Sequence, residues 1–279
     1  NPTNPGTPIY ENTTGDARSV YISGNYVYLA DGSSGLAVIN ISNPTNPGTP
    51  TYENTTGNAY GVYVSGNYVY LADGSSGLAV INISNPTNPG TPVYEDTTDN
   101  ARGVYVSGDN AYLADGSSGL AVIDISNPTN PGTPIYKNTT GNTYGVYVSG
   151  NYAYLADGSS GLAVIKITVP IAPGTPIYEV TDRSAIKVYV SGDYAYIADF
   201  TSGLAVIDIS DPTNPGTPFT EDTDGSAYGV YVSGDYAYIA DFDSGLAVID
   251  ISDPTNPGTP FTEDTDGSAI GVCVSGDYA

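Results

Sequence analysis

The pentapeptide Gly-Leu-Ala-Val-Ile begins at Gly35, Gly77, Gly119, Gly161, Gly203 and Gly245, so the chain returns to the same residues every 42 positions. A second marker, Asn/Asp-Pro-Thr-Asn-Pro-Gly-Thr-Pro, starts at Asn1, Asn43, Asn85, Asn127, Asp211 and Asp253 with the same step. The copy expected near 169 has degenerated to Val169-Pro170-Ile171-Ala172-Pro173-Gly174-Thr175-Pro176 but keeps its phase. Self-similarity at one fixed period means that one supersecondary unit is built repeatedly and stacked against itself. Six full units use 252 residues, the remaining 27 begin a seventh, and no composition shift divides the chain, so residues 1–279 read as one domain.

Each unit reads as four short strands. In the second copy, residues 61–64 (Gly-Val-Tyr-Val) have the β-branched and aromatic character that strands favour. Gly66 can take positive φ in the Ser65-Gly66-Asn67 turn. Residues 67–72 form a second strand, and Asp73-Gly74-Ser75-Ser76 the next turn. Residues 78–83 are apolar enough to be buried on both faces, and after the proline-rich stretch 85–92 the outermost strand is 93–95, more polar as an exposed edge should be.

Four antiparallel strands at this period fit the blades of a β-propeller. A β-helix coil needs a shorter repeat, and helical repeats need a 3.6-residue periodicity that is missing here. One twisted sheet of this composition is apolar on both faces, and neighbouring sheets cover it by stacking. Val20 and Ile22, like Val62 and Val64, point to one side, with Tyr21 and Tyr63 on the other. Most of the 26 tyrosines fall at such sheet-to-sheet positions, where rings supply area and hydroxyls reach polar partners.

Tyr26-Val27-Tyr28-Leu29-Ala30-Asp31, followed by Gly35-Leu36-Ala37-Val38-Ile39-Asn40-Ile41-Ser42 and Asn43-Pro44-Thr45-Asn46-Pro47, resembles the LVIVD repeat. That pattern is similar to the YVTN propellers of archaeal surface-layer proteins. The resemblance covers essentially the whole chain and implies a β-propeller in a secreted or cell-surface protein, often one module of a longer polypeptide. It carries over no catalytic residue.

Closure sets the expected blade number. Residues 5–14 correspond to an outermost strand with no preceding blade, which by strand exchange between the termini would complete the last one. Residues 270–274 correspond to the first strand of a seventh blade and 277–279 to the start of its second. The expectation is a seven-bladed ring whose last blade is incomplete, although six or eight blades remain compatible because nothing local in a blade sets the count.

Composition removes several functions. Lys and Arg total 6 against 30 Asp and Glu, a formal charge of −24, with −8 over residues 1–168 and −16 over 169–279. So few cations argue against nucleic acid and anionic membranes, and no apolar run is long enough for a spanning helix. High net charge of this kind keeps a crowded surface protein soluble. Histidine is absent, which removes imidazole catalysis and ligation. Cys273 is the single cysteine, so there is no internal disulfide. It stands where the other repeats have Tyr, and reads as a packing replacement rather than a nucleophile. No initiator Met or signal peptide is visible, which suggests a mature product or an excised fragment.

Candidate sites follow from regularity and from its breaks. Asp31, Asp73, Asp115, Asp157, Asp199 and Asp241 recur at one turn of every unit. Oxygen ligands of this kind suit calcium, but identical placement in all blades favours turn capping, and no specific motif supports a cofactor. Asp241-Phe242-Asp243 is the one two-carboxylate version. Paired carboxylates for glycoside hydrolysis would break the pattern at one place, whereas the Asp and Glu residues mostly follow it. Asn12, Asn54 and Asn138 head N-x-S/T sequons on the outer strands and are glycosylation candidates, while Asn40 and Asn82 fall on third strands. The residue before each first strand varies most: Arg18, Tyr60, Arg102, Tyr144, Ile186, Tyr228 and Ile270. That position lies near one mouth of a propeller channel, where Arg18, Tyr60, Arg102, Tyr144 and Tyr228 form a candidate site for a sugar or an acidic partner.

The resulting expectation is a non-catalytic, extracellular β-propeller acting as a structural or adhesive module of a cell envelope or surface layer. Its partners would be other surface proteins, glycans or copies of itself, with no nucleic acid and no direct membrane insertion. The alternative is a carbohydrate- or protein-binding propeller that uses the channel-mouth loops.

Overall fold

The computed structural model describes residue 2, residues 6–168 and residues 172–279. The degenerate marker at 169–171, and Pro5 at the head of the N-terminal segment, lie outside the described residues. Two compact units are present, one spanning Ile9–Asn138 and the other made of Asn1–Pro8 with Thr139–Ala279.

The unit Ile9–Asn138 holds three sheets. The first is β1 (Ser19–Ser23), β2 (Tyr26–Ala30), β3 (Leu36–Asn40) and β4 (Thr51–Glu53). The second is β5 (Gly61–Ser65), β6 (Tyr68–Ala72), β7 (Leu78–Asn82) and β8 (Val93–Glu95), and the third is β9 (Gly103–Ser107), β10 (Asn110–Ala114), β11 (Leu120–Asp124) and β12 (Ile135–Lys137). The other unit repeats the plan. It contains β13 (Gly145–Ser149), β14 (Tyr152–Ala156), β15 (Leu162–Lys166) and β16 (Ile177–Glu179), then β17 (Lys187–Ser191), β18 (Tyr194–Ala198), β19 (Leu204–Asp208) and β20 (Phe219–Glu221). Its last sheet is β21 (Gly229–Ser233), β22 (Tyr236–Ala240), β23 (Leu246–Asp250) and β24 (Phe261–Glu263). Every sheet is a four-stranded antiparallel meander in chain order.

Register decides which neighbour each side chain meets. In the second sheet Val62 faces Leu71, which faces Ala79, while Val64 faces Val69, which faces Ile81. These six residues share one face and pack on Tyr28, Leu36 and Val38 of the first sheet. The alternate residues Tyr70, Leu78 and Val80 turn the other way and pack on Val104, Val106, Leu113 and Ile123 of the third. The same alternation joins the fourth sheet to the fifth and the fifth to the sixth. Leu71, Leu78, Leu155 and Leu204 have no exposed surface, and each such side chain contributes roughly 1.5–3 kcal/mol over leaving it in water. The first strands also lie side by side. The Tyr21 and Tyr63 rings sit 4.9 Å apart, as do Tyr63 and Tyr105, and Tyr147, Tyr189 and Tyr231 continue the pattern at 5.0 Å spacing in the other unit. Burial and the neighbouring Tyr105 push the Tyr63 phenol up to about 12.

Two expectations are corrected. Six four-stranded blades are present among the described residues, not seven. Residues 270–274 do not form a strand, and the chain closes there only on the isolated Ser275–Tyr278 bridge. Lacking a paired second and third strand, that segment has no ladder to satisfy its amides. Residues 6–18 likewise carry no strand, since no described strand takes them as a partner.

The repeat's first glycine has a backbone reason. Gly35 sits at φ +73°, and a Cβ there would lie 2.6 Å from both the Glu53 carbonyl oxygen and the Thr55 amide nitrogen. Gly24 also has positive φ, at +57°, but faces open space. Gly35→Ala should therefore cost at least about 2 kcal/mol, and Gly24→Asn under about 1 kcal/mol. Urea unfolding of the two variants checks this, and equal losses would contradict it.

Candidate functional site

Each turn aspartate is fully buried and is held by donors from far upstream. Asp73 Oδ1 accepts from the Thr55 hydroxyl at 2.6 Å, and Oδ2 from the Gly57 amide at 2.9 Å. Thr55 follows the outer strand of the first sheet, whereas Asp73 sits in a turn of the second, so the carboxylate fastens one blade's exit to the next blade. Asp31 is held by Thr13 and Gly15, Asp115 by Thr97 and the Asp99 amide, and Asp157 by Thr139 and Gly141. Asp199 takes Thr181 and the Arg183 amide, and Asp241 takes Thr223 and Gly225. These threonines were not singled out from sequence, although each stands 18 residues before its aspartate. With both oxygens engaged, the carboxylates act as structural acceptors. Among the described residues there is no group of three or more His, Cys, Asp or Glu arranged to hold a metal ion.

Burial raises the carboxyls of Asp73, Asp115, Asp157 and Asp199 above the ordinary aspartate range, against the lowering effect of their hydrogen bonds. It also raises Glu53, Glu95, Glu179 and Glu221 on the outer strands. Asp99 moves the other way, to about 2, because the Ser117 hydroxyl and amide and the Asn100 amide donate to it.

The variable position precedes each first strand, and at Tyr60, Arg102, Ile186, Tyr228 and Ile270 it follows an antiparallel bridge to the turn of the preceding blade. The Gly32 amide donates to the Ala59 carbonyl and the Ala59 amide to Gly32, and Gly74 pairs with Ala101 in the same way. This clamp delivers Tyr60 and Arg102, half-buried, to one end of their sheets. There the Arg18 guanidinium lies 4.9 Å from the Tyr60 ring centroid and that of Arg102 5.8 Å from the same ring. The Arg18 side chain is 34% exposed, and its Nη2 reaches the exposed Asp16 carboxylate at 3.5 Å, while its Nε is buried without a hydrogen-bond partner. The structure thus brings Arg18, Tyr60 and Arg102 together. Tyr144 and Tyr228 belong to the other unit, where the Tyr144 ring rests close over Gly158.

Tyr228 has a different setting. Phe200 meets it edge-on at 5.7 Å, and Phe242 lies 5.1 Å away at 40°. Both phenylalanines occupy the left-handed region, with φ of +47° and +29°, where Gly32, Gly74, Gly116 and Gly158 stand in the earlier repeats. A bulky residue held there costs of order 1–3 kcal/mol. The glycine-to-phenylalanine change is readable in the sequence as a second break in the repeat. Lys187 is another, half-buried at the head of β17 where most repeats have glycine, its amine lowered by desolvation. Burial pushes the Cys273 thiol up to about 12, which favours the protonated thiol at neutral pH. Asn54 and Asn138 are exposed just beyond β4 and β12, and Asn12 is exposed in the strandless N-terminal segment. Asn40 and Asn82 instead accept hydrogen bonds from Ser42 and Ser84.

The architecture is shared with solved propellers. It is similar to the β-propeller domain of Cps50 (Swd1) from Myceliophteria thermophila, with TM-score 0.69 and 11% identity over 90% of this chain and 86% of that one. It is also similar to the computationally designed Ika8 protein, with TM-score 0.68 and 11% identity over 93% of this chain and 78% of that one. A functionally unknown protein from Desulfotomaculum acetoxidans matches with TM-score 0.68 and 13% identity over 92% of this chain and 90% of that one. At such identities the likeness concerns the fold, and the fold is a β-propeller of six four-stranded antiparallel blades. The LVIVD repeat model matches residues 14–51, 56–92, 99–135, 140–174, 182–223 and 224–265, so the chain belongs to the LVIVD-repeat family. No curated protein matches its sequence.

Two outcomes follow from the buried carboxylates. Thr55→Val leaves an oxygen of Asp73 without its donor and should cost about 1–3 kcal/mol, measurable by denaturant unfolding. A carboxyl raised in the folded state binds protons that the unfolded chain releases, so its contribution grows as pH falls through the raised value and is complete below the ordinary one. Asp99 contributes in the opposite sense, above its ordinary value of 3.8, and that contribution is lost as pH falls towards about 2. The thermal midpoint should therefore be higher near about pH 4.5 than at about pH 7 and fall below about pH 3.5. A midpoint that drops steadily from neutral pH would contradict the assignment.

Proposed function

We propose that this propeller is a non-catalytic, extracellular module that builds or decorates a cell envelope or surface layer, assembling with copies of itself or with neighbouring surface proteins. The observation that carries this reading is the use of the same buried carboxylate, threonine and amide in all six blades. Buried carboxylates that a hydrolase would use for chemistry here accept structural hydrogen bonds, and at Asp73, Asp115, Asp199 and Asp241 they tie one blade to the next. The formal charge of −24 suits a crowded exterior surface, and exposed Asn12, Asn54 and Asn138 suit glycan attachment. Light scattering and electron microscopy of the purified chain at rising concentration should reveal ordered self-association or binding to isolated envelopes. Turnover of a glycan or peptide substrate that disappears on replacing one carboxylate would overturn the reading.

A second reading rests on the stacked Arg18–Tyr60–Arg102 group. Two guanidiniums held on one ring, at the end of the sheets where the repeats diverge, make a surface for the carboxylate or hydroxyls of a glycan or an acidic peptide. Tyr144 and Tyr228 occupy the equivalent positions in the other unit. Binding on a glycan array should fall at least about tenfold for the Arg18→Ala, Arg102→Ala double variant, and unchanged binding excludes these residues.

A further inference from the structure

The repeats supply an internal comparison at Tyr228. Its counterpart 168 residues upstream, Tyr60, is stacked by the arginines at the same position of the two flanking repeats, Arg18 and Arg102. The residues flanking Tyr228 in that register are Ile186 and Ile270. Two features accompany the loss of the arginines. Phe200 and Phe242 replace the turn glycines and pack on Tyr228 at 5.7 and 5.1 Å, in a left-handed backbone conformation that glycine would adopt without strain. All three residues are half-buried, so each keeps part of its surface open to solvent. Asp243 follows Phe242 directly and Asp224 stands four residues before Tyr228, both exposed, within a half of the chain that carries −16. Among its own basic groups, Arg183 and Lys187 belong to the fifth repeat, on the Phe200 side, and the Phe242 side is acidic.

We propose that Tyr228, Phe242 and Phe200 form a docking site for an arginine side chain presented by a partner protein. The ring face is enlarged, the intramolecular guanidinium is gone, and the sequence around it carries net charge of the sign that attracts a replacement. Rings only 5.1–5.7 Å apart touch each other, so they offer a platform for a planar guanidinium rather than a cage around a spherical ammonium. This deepens the binding reading of Tyr228 and is independent of Arg18, Tyr60 and Arg102.

The four phenylalanines make the test direct. With phenylalanine rings isotopically labelled, NMR titration with acetyl-Gly-Arg-Gly-amide should shift Phe200 and Phe242 saturably and leave Phe219 and Phe261 in place. A single guanidinium on such a platform binds weakly, with Kd of the order of millimolar. The lysine analogue should bind at least about threefold more weakly and the glutamine analogue not at all. Phe242→Gly restores the residue of the earlier repeats, so folding is safe, and it should weaken binding at least about fivefold. Ile270→Arg supplies an internal occupant and should abolish the response. Equal shifts with the glutamine peptide, no saturable shift, or undiminished binding in Ile270→Arg would overturn the proposal. Because self-association and glycan binding are read separately, failure here leaves the envelope role and the Arg18–Tyr60–Arg102 site to stand or fall on their own tests.

Discussion

Each blade is greasy on both sides, and everything else in the molecule follows from the need to cover those faces. The two middle strands of a blade have no polar side to turn to water. Val62, Val64, Leu71 and Ile81 must be met by the sheet before, and Tyr70, Leu78 and Val80 by the sheet after. Burial alone is non-directional and would allow neighbouring sheets to slide. Two directional links prevent this: the antiparallel bridge between a turn and the next blade's entry, and the buried carboxylate that takes a hydroxyl and an amide from the preceding blade's exit. The hydrophobic contact supplies the free energy, and the polar links set the angle and the register.

Most of this architecture is legible in the residues. Period-2 alternation predicts strand faces correctly, Gly66 takes the expected positive φ of +57°, and the outer strand of the second blade falls at Val93–Glu95 as read. Blade number is not legible in the same way, because pairing is a property of the partner. Ile270-Gly271-Val272-Cys273-Val274 matches the first strand of every blade in sequence, yet without a paired second strand it stays irregular. The variable entry position was legible as a break in the repeat. What gathers there was not, since a ring contact such as Arg18 on Tyr60 depends on how two blades pack rather than on any local motif.

Electrostatics expose a tension in the design. A folded chain with so much negative charge repels itself, and burying carboxylates adds desolvation to that repulsion. Asp73, Asp115, Asp157 and Asp199 are kept because each removes two otherwise orphaned donors from the interior, and an unsatisfied buried donor costs about as much as the desolvation it replaces. Asp99 shows the other solution. Lying at the surface, it gathers hydrogen bonds from Ser117 and Asn100 and stays charged well into acid.

In a chain whose repeats are nearly copies, information lies in the departures. A drifting surface position loses side chains without strain. Phe200 and Phe242 do the reverse, adding bulk where the backbone tolerates it least, and doing so in two successive blades on either side of one tyrosine. Glycine is the lower-energy residue at each site and is retained in four earlier repeats, so the phenylalanines add strain and aromatic surface together. The strain persists because the Phe200–Ala227 and Phe242–Ala269 bridges pin the backbone on both sides. The scaffold that makes the blades uniform is thus what allows one region to depart from uniformity and present a surface the others lack.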